Sequence, residues 1–68
     1  MDSIYKFVEL VGTSDKSWED AIRTVVNKAS KTLKDIRIVD VKKLDARIES
    51  GNVIFFRARV KLSFKYEG

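Results

Sequence analysis

The segment that most constrains the fold of this chain is a strand pattern that leads through a glycine into a capped helix. Residues 4–11 are rich in β-branched and aromatic side chains, a composition typical of a strand. Gly12 predicts a flexible bend after it. The sequence Ser17-Trp18-Glu19-Asp20 then predicts a first helical turn, in which the Ser17 hydroxyl and the Asp20 carboxylate cap the open amides.

The residues after this cap predict one amphipathic helix. Apolar side chains recur at helical spacing at Trp18, Ala21, Ile22, Val25, Val26, Ala29 and Leu33. The pattern predicts a helix of about 16 residues that ends near Lys34, with Lys31 and Lys34 supplying the charge that a helix C-terminus favours.

The second half of the chain predicts a long hairpin that turns at Glu49-Ser50-Gly51-Asn52. The strand after the turn alternates with a period of two. Its apolar side, predicted to cover the helix, carries Ile54, Phe56, Ala58, Val60, Leu62, Phe64 and Tyr66.

The strand before the turn changes its apolar phase. Val39 and Val41 are apolar at odd positions, whereas Leu44, Ala46 and Ile48 are apolar at even positions. One extra residue near Lys42-Lys43 reconciles the two halves, so we predict a β-bulge there. With that bulge, Asp45 falls opposite Arg57 and Asp40 falls opposite Lys61, on the side of the sheet without the helix.

These elements predict an α+β fold with the order β-α-β-β. A helical crossover returns the second strand parallel to the first, so the third strand can lie between them and run antiparallel to both. We therefore expect a three-stranded antiparallel sheet, in the order 1-3-2, wrapped around one amphipathic helix. Nothing in the sequence divides the chain, so a single domain over residues 1–68 is expected.

Length and composition favour self-association over catalysis. A chain of 68 residues buries only about 60% of the surface of its unfolded form, and without Cys or His neither disulfides nor a zinc site can stabilise it. The same absence excludes Ser-His and Cys-His nucleophile pairs. The first strand is also apolar on both faces, because Tyr5, Phe7 and Val11 oppose Ile4, Val8 and Leu10. We therefore expect a non-enzymatic protein whose subunits bury this strand against each other.

Charge and hydropathy bound the partners. The net charge of +4 arises from 14 basic and 10 acidic residues that are interleaved, a pattern that argues against nucleic acid as the main partner. The sequence has no apolar run of membrane length and no secretory leader pattern. A cytoplasmic protein without a membrane partner is the expectation.

Several residues have both a functional and a structural interpretation. Arg57, Arg59 and Lys61 on one strand face could grip a phosphate or pair with acidic residues of another subunit. An apolar patch of Tyr5, Phe7 and Ile38 could hold a planar ligand or be covered by a second subunit. Trp18, in the first helical turn beside Ile22, could line a ligand pocket or pack in the core or at a subunit interface.

The chain as a whole resembles the dodecins. The likeness is carried by Tyr5, by Val8-Glu9-Leu10-Val11-Gly12-Thr13-Ser14, by Lys31-Thr32-Leu33, by Val39-Asp40-Val41 and by Val60-Lys61-Leu62-Ser63-Phe64-Lys65. The resemblance implies small βαββ subunits, twelve of which close into a hollow shell that typically binds flavins such as FMN or riboflavin.

Two positions depart from the pattern of the flavin-binding dodecins. By that resemblance, Ile38 replaces a Trp that stacks on the isoalloxazine ring, and Arg57 replaces a Gln that hydrogen-bonds the edge of the ring. Isoleucine has no π face, and a guanidinium donates hydrogen bonds but accepts none. The flavin site as the family builds it is therefore not expected here. Arg37, Tyr5 and Arg59 complete the candidate ligand-binding set with Ile38 and Arg57.

Two other segments, Ser17-Trp18-Glu19 and Asp35-Ile36-Arg37-Ile38, resemble the calcium dodecins, which implies the same shell with bound Ca²⁺. The sequence holds no contiguous calcium loop, so a cation site has to be assembled between strands or subunits. The candidate carboxylates are Glu9, Asp15, Glu19, Asp40 and Asp45.

The function expected from the sequence is the binding or storage of a small ligand or cation by a hollow homo-dodecamer. The cofactor is left open between Ca²⁺ and a flavin. The alternative is a structural or interaction module whose basic strand face docks an acidic partner or nucleic acid.

Overall fold

A computed structural model describes residues 4–66, which form a strand, a helix and a strand hairpin. Strand β1 spans Tyr5–Ser14, helix α1 spans Trp18–Ala29, and strands β2 and β3 span Ile36–Glu49 and Asn52–Lys65. The sheet order is β1-β3-β2, with β3 antiparallel to both neighbours. The predicted α+β fold, its element order and its strand order are confirmed. Within residues 4–66, no helix has the length and apolar character needed to cross a membrane.

The helix begins at a cap that is only partly the predicted one. The Ser17 hydroxyl accepts a hydrogen bond from the Asp20 amide at 2.9 Å, as predicted. The Asp20 carboxylate was predicted to cap a backbone amide, but it accepts instead from the Ser14 hydroxyl at 2.6 Å. The Ser14 oxygen in turn accepts from the Lys16 amide at 2.9 Å. The buried Ser14 therefore ties the end of β1 to the start of α1.

Helix α1 is shorter than predicted, because it ends at Ala29 rather than near Lys34. The Ser30 hydroxyl donates to the Val26 carbonyl at 2.8 Å, and the Thr32 hydroxyl donates to the Ala29 carbonyl at 3.3 Å. Serine and threonine offer the backbone such local bonds and so favour helix ends over helix interiors.

Gly12 has a different role from the predicted bend. It lies within β1, and β1 continues to Ser14. A Cβ at Gly12 would overlap the Ala21 carbonyl oxygen and lie 2.9 Å from the Val25 Cβ. Helix α1 therefore rests directly on the backbone of β1, and only glycine leaves room for it.

The hairpin confirms the predicted turn and bulge. The turn residues Ser50 and Gly51 have φ values of 51° and 78°, as a two-residue turn that matches the strand twist requires. A register shift between Val41 and Lys43 is the predicted bulge. The predicted cross-strand pairs form on either side of it, since Asp40 lies opposite Lys61 before the bulge and Asp45 lies opposite Arg57 after it.

Two further register shifts were not predicted, one between Ile36 and Ile38 and one between Arg47 and Ile48. The first sends neighbouring isoleucines to opposite faces. Ile36 packs against the core under the helix, whereas Ile38 is 55% exposed.

The core lies between α1 and the two strands that it covers, β1 and β3. Its buried members are Ala21, Val25, Ala29, Ala58, Val60 and Leu62. A helix of 12 residues is about 18 Å long, whereas a strand of 14 residues spans about 46 Å. The helix cannot cover the hairpin, and β2 keeps Val39, Val41 and Leu44 exposed on the helix side of the sheet. We call these three residues the uncovered strip.

Candidate functional site

The sheet face opposite α1, called here the helix-free face, carries most of the candidate residues. Side chains of directly paired residues share a face of the sheet, so the register assigns its members. They include Tyr5, Phe7, Glu9, Val11 and Thr13 on β1, Phe55, Arg57, Arg59, Lys61, Ser63 and Lys65 on β3, and Ile38, Asp40, Lys43, Asp45 and Arg47 on β2.

One end of the helix-free face is apolar. Phe7 and Ile38 lie on either side of Ser63 in one cross-strand row, and Tyr5 is the next residue of β1 on this face. Tyr5, Phe7 and Ile38 are all exposed. The Lys61 ammonium lies 4.2 Å from the centroid of the Phe7 ring, a cation–π contact. The three apolar candidates are therefore brought together, beside a positive charge.

The other end is organised by an ion pair between Arg57 and Asp45. The Arg57 Nε and Nη2 donate to the two Asp45 carboxylate oxygens at 2.6 and 2.8 Å. This bond lowers the pKa of Asp45 below its ordinary value and raises the pKa of Arg57. From the helix side, the Trp18 indole Nε1 donates to the Asp45 carbonyl oxygen at 2.8 Å. Asp45 is thus held through both its side chain and its backbone.

These positions do not form a flavin site within one chain. Ile38 pairs with Ser63, six residues along β3 from Arg57, which is a separation of about 20 Å. Ile38 offers no aromatic face, and two donors of Arg57 are engaged by Asp45. The residues present do not fit a flavin as the resemblance implies that it is held.

Arg37 lies away from the other two candidate arginines. It occupies the register shift between Ile36 and Ile38, and its Nε and Nη2 donate to the Asp35 carboxylate at 3.0 and 3.3 Å. This bond lowers the pKa of Asp35. Arg37 therefore belongs to the apolar end of the sheet, while Arg57 and Arg59 belong to the opposite end.

The candidate carboxylates do not form a cation site in a single chain. Among residues 4–66, no three acidic side chains come together in a way that could hold a metal ion. Glu9 and Asp40 lie on opposite sides of Lys61, and Asp40 is paired with Lys42 at 3.3 Å. Asp45 is paired with Arg57, Asp15 follows β1, and Glu19 lies in the first turn of α1.

A cleft at the end of α1 was missed by the sequence reasoning. It has a volume of about 630 Å³ and is lined by Lys6, Thr32, Leu33, Lys34, Asp35, Phe64, Lys65 and Tyr66. The Lys6 ammonium lies 5.0 Å from the centroid of the Tyr66 ring. With three lysines against one aspartate, the cleft is basic. Its residues come from three separate segments, so no local motif announces it.

Trp18 packs, as the structural alternative predicts. Its ring meets Phe56 edge to face, with centroids 4.9 Å apart and an interplanar angle of 67°. With the indole bond to Asp45, this contact connects the start of α1 to both strands of the hairpin.

Comparison with known proteins gives one consistent result. The sequence model of the dodecin family matches residues 4–67. The chain is 36% identical over 63 residues to the calcium dodecin of Mycobacterium tuberculosis, covering 93% of this chain and 89% of that protein. It is 34% identical over 67 residues to the dodecin of Thermus thermophilus, covering 98% and 97% of the two chains.

Solved structures agree. The dodecin from Streptomyces coelicolor matches with a TM-score of 0.93 and 33% identity, covering 98% of this chain and 96% of the other. A crystal structure of the M. tuberculosis calcium dodecin, described as having a novel calcium-binding site, matches with a TM-score of 0.83 and 35% identity, over 96% and 93% of the chains.

Proposed function

This chain belongs to the dodecin family, and from that premise we propose that it forms a hollow homo-dodecamer that binds or stores a small ligand or a cation. The proposed role is binding rather than catalysis.

The observation that carries this proposal is the uncovered strip. Val39, Val41 and Leu44 stand on the helix side of the sheet, where α1 does not reach. Contiguous exposed apolar surface of this kind marks a protein interface. A second copy of the chain would cover the uncovered strip, which helix α1 of the same subunit does not reach. Membership of the dodecin family gives a reason to expect such a copy.

A second exposed apolar area supports the same proposal. Tyr5, Phe7 and Ile38 form one end of the helix-free face, so both faces of the sheet present apolar surface. A monomer of 68 residues has little core to offset that exposure. Closure of a symmetric assembly would bury the two areas at once.

Ca²⁺ is the first ligand to test. The relative from M. tuberculosis is named a calcium dodecin. Ca²⁺ takes six to eight oxygen ligands, whereas residues 4–66 of one subunit bring together no group of three acidic side chains that could hold a metal ion. Glu9, Asp15 and Glu19 are the candidates that make no salt bridge within residues 4–66. A cation site would therefore combine carboxylates from neighbouring subunits.

A flavin comes second to Ca²⁺ as a ligand to test, because Ile38 and Arg57 do not match the residues that the resemblance implies for flavin binding. If FMN or riboflavin binds, we expect it to contact Tyr5, Phe7 and Ile38 by apolar packing, since no aromatic ring stands at position 38.

Native mass spectrometry tests the proposal. The purified protein is measured alone, then with Ca²⁺, then with FMN. We expect a species of twelve subunits of 7.8 kDa each that gains mass with Ca²⁺. Glu9→Gln should reduce that gain. Glu49→Gln is the matched control, because Glu49 pairs with Arg47 beside the hairpin turn and should leave it unchanged.

A monomer or dimer that gains no mass with either ligand would refute the proposal. Salt-sensitive binding of such a monomer to an acidic protein or to nucleic acid would favour the interaction module instead.

A further inference from the structure

Two positive charges stand directly opposite each other on the helix-free face. Arg59 on β3 pairs in register with Lys43 on β2. Like charges at opposed positions of an antiparallel pair destabilise the sheet. Three acidic residues of the described chain lie on this face, namely Glu9, Asp40 and Asp45. None of them is the cross-strand partner of Arg59 or Lys43.

The neighbouring acidic groups are engaged by other cations. Asp45 accepts two hydrogen bonds from Arg57, and Asp40 pairs with Lys42, the residue of the bulge. Glu9 lines a shallow depression with Arg59, but no salt bridge joins them. Among residues 4–66, the salt bridges include neither Arg59 nor Lys43. Within the described residues, Arg59 and Lys43 thus form no close ion pair, although both act on the Asp45 carboxylate at longer range, and Glu9 lies directly opposite a third cation, Lys61.

The surroundings suit a ligand with one charged group and one apolar part. The depression beside Arg59 has a volume of about 360 Å³ and is lined by Glu9, Leu10, Val11 and Arg59. Val11 pairs with Arg59 on the side away from Lys43 and is exposed. Arg59 thus lies between an apolar surface on the β1 side, where the depression is, and Lys43 on the β2 side.

We propose that Arg59 and Lys43 together bind the phosphate group of a small phosphate monoester, whose apolar part lies along Val11. This inference rests on the proposed function and names its ligand class. The Arg59 guanidinium supplies a planar pair of donors that matches two phosphate oxygens, and the Lys43 ammonium supplies a compact charge to a third. Arg57 has no such role, because its Nε and Nη2 already donate to Asp45.

The first test measures the repulsion in the absence of ligand. Lys43→Gln should raise Tm at low salt, because it removes a like charge opposite Arg59, and the gain should vanish near 1 M salt, where screening acts over about 3 Å. Arg23→Gln, in the middle of α1 and exposed, is the matched control and should change little. A lower Tm for Lys43→Gln at low salt would overturn the proposal.

The second test measures binding by calorimetry, with phenyl phosphate as the probe and phenol as its uncharged match. Arg59→Gln and Lys43→Gln should each weaken phenyl phosphate binding about tenfold, the size expected for loss of a charge-assisted hydrogen bond. Arg59→Lys should retain part of the affinity. Lys34→Gln, in the basic cleft, should have little effect.

Equal affinity of the wild type and both Gln variants would overturn the proposal, and so would loss of binding in Lys34→Gln alone. Native mass spectrometry of each variant separates this inference from the proposed function. Twelve subunits without phosphate binding at Arg59 would refute the inference only, whereas binding at Arg59 by a monomer would refute the shell and keep the anion site.

Discussion

The two halves of the helix side of the sheet carry the same kinds of side chain and bury them very differently. On β3, Val60 and Leu62 have no exposed surface. Their direct partners on β2, Val41 and Val39, are 40% and 38% exposed. The difference arises because α1 packs on β1 and β3. Burial in this chain is therefore decided by which strand the helix covers, and hydrophobicity alone does not predict it.

That contrast separates two kinds of stability. The half under α1 is stabilised within one subunit, at any protein concentration. The uncovered strip contributes only when another surface covers it, so its contribution depends on concentration.

Replacement of one leucine by alanine in each half gives the largest expected difference in the free energy of unfolding. Leu62→Ala should lower the free energy of unfolding by about 2–5 kcal/mol, because it opens a cavity at a fully buried site. Leu44→Ala removes the same atoms from the uncovered strip. Its cost should be small in dilute protein and should grow with protein concentration.

Urea denaturation at two protein concentrations measures both effects. Equal losses in the free energy of unfolding for the two variants, independent of protein concentration, would contradict the distinction between the half under α1 and the uncovered strip.

The contact between α1 and β1 can be broken at Gly12. Gly12→Ala should lower the free energy of unfolding by about 1–3 kcal/mol, the usual cost of overpacking, because the new Cβ meets Ala21 and Val25. Gly51→Asn is the control, since nothing lies within 4 Å of a Cβ there and Asn tolerates a positive φ. Thermal unfolding compares them, and similar losses would show that helix docking is not what requires Gly12.

Trp18 connects helix α1 to β2, the strand that the helix does not cover. The variant Trp18→Phe tests this connection. The variant keeps an aromatic ring against Phe56 but loses the hydrogen bond to the Asp45 carbonyl. We expect a loss of about 1 kcal/mol in the free energy of unfolding. Hydrogen exchange should show faster opening of β2 than of β3. Uniform acceleration of both strands would argue against this link.

The smallest effect expected is a dependence on pH. The pKa values of Asp45 and Asp35 lie below their ordinary value of 3.8, because Arg57 and Arg37 bond their charged forms. Their contribution to stability is complete above the unfolded pKa and is lost as the pH falls through the folded pKa. Both pairs are exposed, so the effect is modest. Tm measured from about pH 6 to about pH 2 should fall less in Asp45→Asn than in the wild type.

The sequence predicted the hairpin bulge but missed its counterpart near Ile36 for a definite reason. A phase change is visible only where apolar and polar residues exchange positions, as they do between Val41 and Leu44. Ile36 and Ile38 keep the same phase in the sequence, yet the shift at Arg37 turns them to opposite faces. Both faces of the sheet are apolar at this end, so an apolar residue fits on either face. The sequence pattern therefore does not reveal the register shift at Arg37.

The candidate site could be predicted only where contacts between distant residues followed from the strand register. The pair Asp45–Arg57 followed from register, and register followed from the bulge. The basic cleft joins Lys6, Lys34 and Lys65, whose meeting depends on where α1 ends and how the loop after it returns. The end of α1 was predicted about one turn too late, and so that meeting could not be foreseen.

The place of β3 in the sheet also sets the order in which the subunit can form. This strand follows both others in the chain but lies between them. Its pairing with β2 closes a two-residue turn, whereas its pairing with β1 joins Tyr5 to Lys65. Because short loops close at a lower entropic cost than long ones, we expect the hairpin to form first. The hairpin then acts as a template that receives β1 and α1.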